Sequence, residues 1–170
     1  TNLAYLSLVK RHLSKHKIKK YKIILEPFKK NTAPAILTPA LIRTIKYEQP
    51  LIFFSSDNLI DNVDQFNRSI SLYKKYLDDD NIFIFGIKPI SPSSEYGYFL
   101  SKRISKTINK VTRFIEKPNK AKVKIIIKKN GYMNSGIFFI RKDSIIKNFK
   151  RYQNKIFKNC HDSIRKAKQK

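Results

Sequence analysis

Pro50-Leu-Ile-Phe-Phe-Ser-Ser-Asp-Asn-Leu-Ile60 is the stretch on which the fold turns. Its first half, Leu51 to Phe54, is an unbroken apolar run of β-branched and aromatic residues. Such a run predicts a short strand buried on both faces of a sheet. It stops abruptly in Ser55-Ser56-Asp57-Asn58, small polar residues suited to a loop at the strand's carboxyl end. In open α/β sheets ligands bind at that edge. A carboxylate there can hold a divalent cation against a phosphate, because Mg²⁺ takes one or two carboxylates and completes its shell with phosphate oxygens and water. Asp is also a preferred N-cap and an apolar-periodic stretch follows, so capping of the next helix is the competing reading of Asp57.

Working outward, Asn2 to His16 places Leu3, Leu6 and Leu13 on one apolar face and predicts a helix. Tyr21 to Leu25 reads as a strand and Glu26 to Asn31 as a loop. Thr32 to Lys46 reads as a second helix capped by Asn31 or Thr32, with Pro34 in its first turn and Pro39 expected to kink or interrupt it. After the central stretch come a helix over Asn62–Tyr76, a strand over Ile82–Ile87 and a Pro- and Ser-rich loop over Lys88–Glu95. Strands over Tyr96–Ser101 and Lys110–Ile115 follow, then a helix over Asn119–Lys129, a turn at Asn130-Gly131 and a strand over Tyr132–Ile140. A last helix is expected over Asp143–Phe157. Strands alternating with helices make this an α/β chain, and the β-rich part from Ile82 to Ile140 points to a mixed central sheet. The expected organisation is one domain over 1–157 and a basic tail over 158–170.

Hydrophobic residues at 41% suit a globular core. Lys and Arg number 37 against 12 acidic residues, a net charge of +25 with a pI near 10.2. That excess points toward polyanions. Abundant Lys, Ile and Asn along the whole chain equally fit a genome-wide codon bias that puts Lys on solvated faces. A single cysteine, Cys160, excludes an internal disulfide and suits a reducing, cytoplasmic compartment. No apolar run reaches the ~20 residues needed to cross a bilayer, and no signal-peptide pattern opens the chain, so no membrane partner is expected. The first residue is Thr1 rather than Met, so residues are expected upstream. His12 and His16 stand four apart as zinc ligands can, but lack a third ligand and sit among Lys and Arg, which favours a solvated helix face.

Five blocks, in order, carry a family resemblance. Glu26-Pro-Phe-Lys-Lys-Asn-Thr-Ala-Pro-Ala-Ile36 resembles E-P-x-x-R-N-T-A-P-A-I, and Ser56-Asp-Asn-Leu-Ile60 resembles A-D-H-x-I. Phe85-Gly-Ile-Lys-Pro89 with Ser94-Glu-Tyr-Gly-Tyr98 resembles F-G-I-x-P and T-G-Y-G-Y. Phe114-Ile-Glu-Lys-Pro118 resembles F-V-E-K-P, and Met133-Asn-Ser-Gly-Ile-Phe138 resembles W-N-S-G-M-F. Together they resemble the nucleotidyltransferase domain of mannose-1-phosphate guanylyltransferases, the bacterial kind often fused to a phosphomannose isomerase, over roughly residues 20 to 145.

The resemblance implies a Rossmann-like fold and a reaction in which mannose 1-phosphate and GTP give GDP-mannose and pyrophosphate. Such a reaction needs positioning and charge neutralisation more than covalent help. By resemblance, Asp57 is the Mg²⁺ ligand and, with Lys117 at the sugar phosphate, one of the two catalytic residues. Glu116 meets sugar hydroxyls, Asn134, Ser135, Gly97 and Tyr98 complete the sugar pocket, and Asn31, Thr32 and Ala33 lie near the guanine. Each has a plainer reading: a polar strand end at Glu116-Lys117-Pro118, a bulge or turn at Asn134–Gly136, relief of crowding at Gly97.

Departures qualify the resemblance. No glycine-rich loop like G-x-G-T-R-L-W-P is present, and the family's second metal-binding Asp falls beyond Lys170. Asn58 replaces His, Lys30 replaces Arg and loses its bidentate fork, Glu95 replaces Gly, and Met133 replaces Trp. The sequence therefore reads as the middle of a guanylyltransferase, incomplete at both ends, with an exposed sheet edge and little turnover by itself. A basic nucleic-acid-binding module is the rival reading, without any helix-turn-helix, zinc-finger or RNA-recognition signature in its favour. An oligomer, or a partner completed by a separately encoded N-terminal piece, is the third.

Overall fold

The longest strand runs from Tyr132 to Arg141, and the other strands attach to it directly or through one neighbour. The computed structural model describes residues 1–28, 30–106 and 108–167. It divides into two compact units, Glu48–Ser144 and Thr1–Tyr47 with the chain from Ile145 on.

In the first of these the elements are β1 (Pro50–Phe53), α3 (Val63–Tyr73), β2 (Phe83–Ile87), β3 (Tyr98–Arg103), β4 (Asn109–Ile115), α4 (Lys120–Lys128) and β5 (Tyr132–Arg141). The earlier helices α1 (Leu6–Lys15) and α2 (Thr32–Ala40) belong to the other unit. The strand order is β1-β5-β3-β4, with β2 also on β5. Every ladder among the described residues is antiparallel. The α/β class expected from the sequence stands, and the mixed sheet becomes an antiparallel one for a topological reason. β1 and β2 run the same way but are held apart by β5, which pairs with both.

β1 is half-buried along its length rather than covered on both faces, and Phe54 beyond it is 54% exposed. Its single described ladder is to β5, from Pro50 opposite Arg141 to Phe53 opposite Phe138. A strand with one neighbour keeps an open edge. β3 and β4 form a hairpin whose register shifts between Leu100 and Ser101. Val123 and Ile126 of α4 close over Tyr98, with Leu100, Ile115, Ile127 and Met133 around them. Asn119 caps α4 by accepting from Lys122 N–H at 2.9 Å. Asn130, with φ of 53°, ends it by the left-handed turn expected at Asn130-Gly131: Gly131 N–H donates to the Ile126 carbonyl and Asn130 N–H to that of Ile127. On α3, Phe66 meets Phe85 and Tyr73 meets Phe83, with ring centroids 5.5 and 6.1 Å apart.

In the other unit α2 stops at Ala40, one residue past Pro39, and not at Lys46: the proline's missing N–H and its ring close the helix early. Tyr21–Leu25 makes no ladder. Its neighbourhood holds an isolated bridge, Asn2 to Glu26, with Glu26 N–H donating to the Thr1 carbonyl at 2.7 Å. A β-propensity run forms a ladder only where a partner strand meets it. The helix expected over Asp143–Phe157 is two helices, α5 (Lys142–Tyr152) and α6 (Asn154–Lys166), broken where Gln153 takes φ −140° and ψ 48°. α6 runs through Lys158, so much of the basic tail is helical; Lys168 to Lys170 lie outside the described residues. α6 packs against α2.

Candidate functional site

The carboxyl end of β1 leads into a turn at Ser56-Asp57, closed by Asn58 N–H donating to the Ser55 carbonyl at 3.2 Å. Asp57 is exposed. The next helix, α3, is capped by Asn62, whose side chain accepts from Gln65 N–H at 2.8 Å. The capping reading of Asp57 is thereby removed, since its helix already has a cap.

Asn58 ties this turn to β5. Its Nδ2 donates to the Ser135 carbonyl at 3.3 Å, across 77 positions of sequence. Asn134 N–H in turn donates to the Gly97 carbonyl at 2.8 Å, which brings the start of β3 alongside. At Gly97 a Cβ would stand 2.7 Å from the Phe114 ring and 2.8 Å from the Glu116 carboxylate. A side chain at this position would displace the tip of that ring and that carboxylate. These links connect Asn58, Ser135, Asn134, Gly97 and Glu116, drawn from four separate segments, and Asp57 and Lys117 adjoin them in sequence.

The plainer readings are also physically present. The ladder between β2 and β5 shifts register between Ile84 and Gly86, opposite the segment around Gly136, whose φ is +74°. Asn134–Gly136 is thus a bulge, and bulges re-aim side chains beside sites. Gly97 does relieve crowding. Lys117 follows the end of β4 with φ of 42°, a left-handed conformation that costs a non-glycine residue on the order of 1–2 kcal/mol. Pro118 beside it is buried, while Glu116 and Lys117 are exposed.

Two of the expected site residues have internal partners. Tyr98 is fully buried in the α4 cluster, its hydroxyl donating to the Ser93 carbonyl at 2.8 Å. Ser135 Oγ donates to the Phe85 carbonyl at 2.8 Å and accepts from Ile137 N–H at 3.2 Å. Asn31, Thr32 and Ala33 stand in the other unit at the head of α2, where Asn31 has φ of 64° and makes no side-chain capping bond. The tether by Asn58 and the wall by Phe114 escaped the sequence reading, because a side-chain to backbone bond between distant strands leaves no spacing signal.

At the end of β5, Arg141 pairs with Asp143, and Glu48 lies 4.0 Å away. Hydrogen bonding to Asp143 raises the Arg141 pKa, whereas burial lowers that of Lys142 beside it. No group of three His, Cys, Asp or Glu side chains able to hold a metal occurs among the described residues. Asp57 offers one exposed carboxylate, a donor set that suits a cation arriving with phosphate oxygens and not an all-protein cage.

A family model for nucleotidyl transferases matches residues 1–170. The chain belongs to the nucleotidyl transferase family. This nucleotidyl transferase is 31% identical over 152 residues to the mannose-1-phosphate guanylyltransferase of Klebsiella pneumoniae, covering 85% of the chain and 32% of that protein. It is 26% identical over 167 residues to the alginate biosynthesis protein AlgA of Pseudomonas fluorescens, covering 95% of the chain and 35% of that protein. The nucleotidyl transferase therefore spans about a third of the length of the curated relatives it matches. A crystal structure from Helicobacter pylori, described as a mannose-6-phosphate isomerase, superposes with a TM-score of 0.82 at 28% identity, covering 97% of this chain and 63% of that one. No described helix of the nucleotidyl transferase is long and apolar enough to cross a membrane.

Proposed function

We propose that these 170 residues carry the sugar-phosphate side of a mannose-1-phosphate guanylyltransferase. In the reaction, a phosphate oxygen of mannose 1-phosphate forms a bond to the α-phosphorus of GTP. The bond from that phosphorus to the β-phosphate oxygen breaks, and pyrophosphate leaves. The observation that carries the reading is the Asn58–Ser135 bond together with the Asn134–Gly97 bond, which join motif segments that the sequence keeps far apart.

In this reading the Lys117 ammonium meets the sugar phosphate, and its strained backbone is kept for that purpose. The Glu116 carboxylate accepts from sugar hydroxyls, with Gly97 leaving the space a side chain would fill. Asn134 orients the sugar from the bulge. Asp57 would hold Mg²⁺, which when bound neutralises the joined phosphates. Asn31 to Ala33 are proposed to serve the guanine. No glycine precedes Gly86, so none of these residues forms a glycine-rich phosphate cradle, and turnover by the 170 residues alone should fall below ~1 s⁻¹.

The test is thermal melting with and without GDP-mannose and Mg²⁺, with UDP-glucose as the control. At 100 times its dissociation constant a ligand stabilises by ~2.7 kcal/mol. Lys117→Gly should raise the ligand-free melting temperature, because glycine accepts a positive φ, and should abolish the shift with GDP-mannose. An unchanged ligand shift in that variant, or an equal one with UDP-glucose, would sink the reading.

A further inference from the structure

The charge of the chain is not spread evenly over its two units. The unit made of Thr1–Tyr47 and the chain from Ile145 has 73 residues, with 20 Lys and Arg against two acidic residues, Glu26 and Asp162, a net of +18. The sheet unit has 97 residues, with 17 Lys and Arg against 10 acidic residues, a net of +7. A genome-wide codon bias acts on the whole chain. It can raise Lys everywhere, but it does not thin Asp and Glu in one unit and leave them in the other. The asymmetry therefore needs a local cause.

Every described Lys and Arg of the basic unit is exposed. On α6 the helical spacing sets Lys155, Lys158, Arg165 and Lys166 opposite Ile156, Phe157, Cys160 and Ile164, and the latter four are half-buried. Aromatic rings are exposed in the same unit: Tyr21, Phe28, Tyr47 and Tyr152 are 48%, 72%, 60% and 64% exposed. The Arg151 guanidinium lies over the Tyr152 ring at 5.2 Å, a ready stacking surface.

We infer that this unit binds single-stranded nucleic acid, its cations tracking the phosphates and its exposed rings stacking on bases. The combination of a basic surface with open aromatic faces is what a single strand recognises without regard to sequence. A duplex would leave the rings unused, because its bases are already stacked. An anionic lipid surface would want a helix with an uncovered apolar face, and the apolar face of α6 is taken by packing within the unit, where α6 meets α2.

Fluorescence anisotropy on the full chain with a labelled oligothymidine of about 20 nucleotides tests this, since one site spans several nucleotides. Binding should weaken with added salt, log K falling by about 0.7 per log unit of salt for each phosphate neutralised. Reversing Lys155, Lys158 and Lys166 to Glu should cost about tenfold or more at low salt, while reversing Lys120, Lys122 and Lys124 on α4 should cost no more than about threefold. Tyr152→Ala should weaken binding by about tenfold and leave the salt slope unchanged. Circular dichroism would check that each variant keeps its helices, and Tyr152→Ala leaves the charge untouched if a reversal does not fold. Equal losses for the two charge reversals would overturn the proposal by showing that only net charge matters. So would a Tyr152→Ala chain that binds like the parent, a duplex bound as tightly as the single strand, or binding to phosphatidylserine vesicles in the absence of oligonucleotide binding.

Discussion

The two units of this chain reach the folded state by different means. Between Glu48 and Ser144, five strands joined by antiparallel ladders bury Leu77, Tyr98, Phe99, Val123, Ile126, Ile137, Phe139 and Ile140. Among the described residues of the other unit the buried hydrophobic ones are Leu37, Ala40 and Ile145, under a net charge of +18. The caps differ likewise. Asn62 and Asn119 head α3 and α4 with side-chain bonds, whereas α2 and α6 begin without one. The lesson is that two units of one chain need not share their energetics. The sheet unit is held by its own core and can position a site, while the basic unit carries self-repulsion on a thin core.

The comparison is most easily broken at Tyr98. Truncation to Ala empties the fully buried centre of the α4 cluster and should cost about 3–5 kcal/mol in urea unfolding. A loss under ~1 kcal/mol would mean that the sheet unit does not depend on that cluster.

Gly97→Ala drives a methyl into the Phe114 ring and the Glu116 carboxylate and should cost about 1–3 kcal/mol. The same variant should lose the thermal shift with GDP-mannose, because Glu116 must move to admit the methyl. Retention of the shift would separate the crowding from the proposed pocket.

The caps set a smaller contrast. Asn119→Ala should cost about 1 kcal/mol, while Gln153→Asp, which offers α6 a cap that it lacks, should gain about 0.5–1 kcal/mol. Equal and negligible effects in the two helices would erase this difference between the units.

The smallest effect concerns protons. The described cations of the basic unit are all exposed, but Lys142 at the end of the sheet unit is buried, and burial lowers its pKa from the ordinary 10.5. The unfolded chain then holds a proton that the folded chain has released between the lowered value and 10.5, so stability rises with pH across that window. Relative to Lys142→Met, the parent should gain stability as the pH climbs toward 10.5 in denaturant titrations. A flat difference would show that Lys142 keeps its proton in both states.

Much of this was legible in the sequence, for reasons that can be named. Local signals served where the physics is local: the apolar run at Leu51–Phe54, the turn at Asn130-Gly131, and the proline at position 39 that ends α2 near itself. The candidate site was legible as motif segments, since Glu116, Lys117 and Asn134 each sit at a strand end or bulge that the pattern announced. That Tyr98 is buried under α4 was not legible, because an aromatic before an apolar run looks the same whether it faces a ligand or a helix. Tyr21–Leu25 failed because a strand is a property of two segments, and one segment's propensity cannot supply the other.

The sequence by itself determined most of the element types, the charge, the family motifs and most of the places where the chain must turn, because each depends largely on residues within a few positions of one another. Only the tertiary structure decided that β5 holds β1 and β2 apart, that Asn58 reaches Ser135, that Glu116 fills the space beside Gly97, and that Asn62 rather than Asp57 caps α3. Those are pairings across tens of residues, set by register and burial, and no local pattern encodes which partner a strand or an amide will meet.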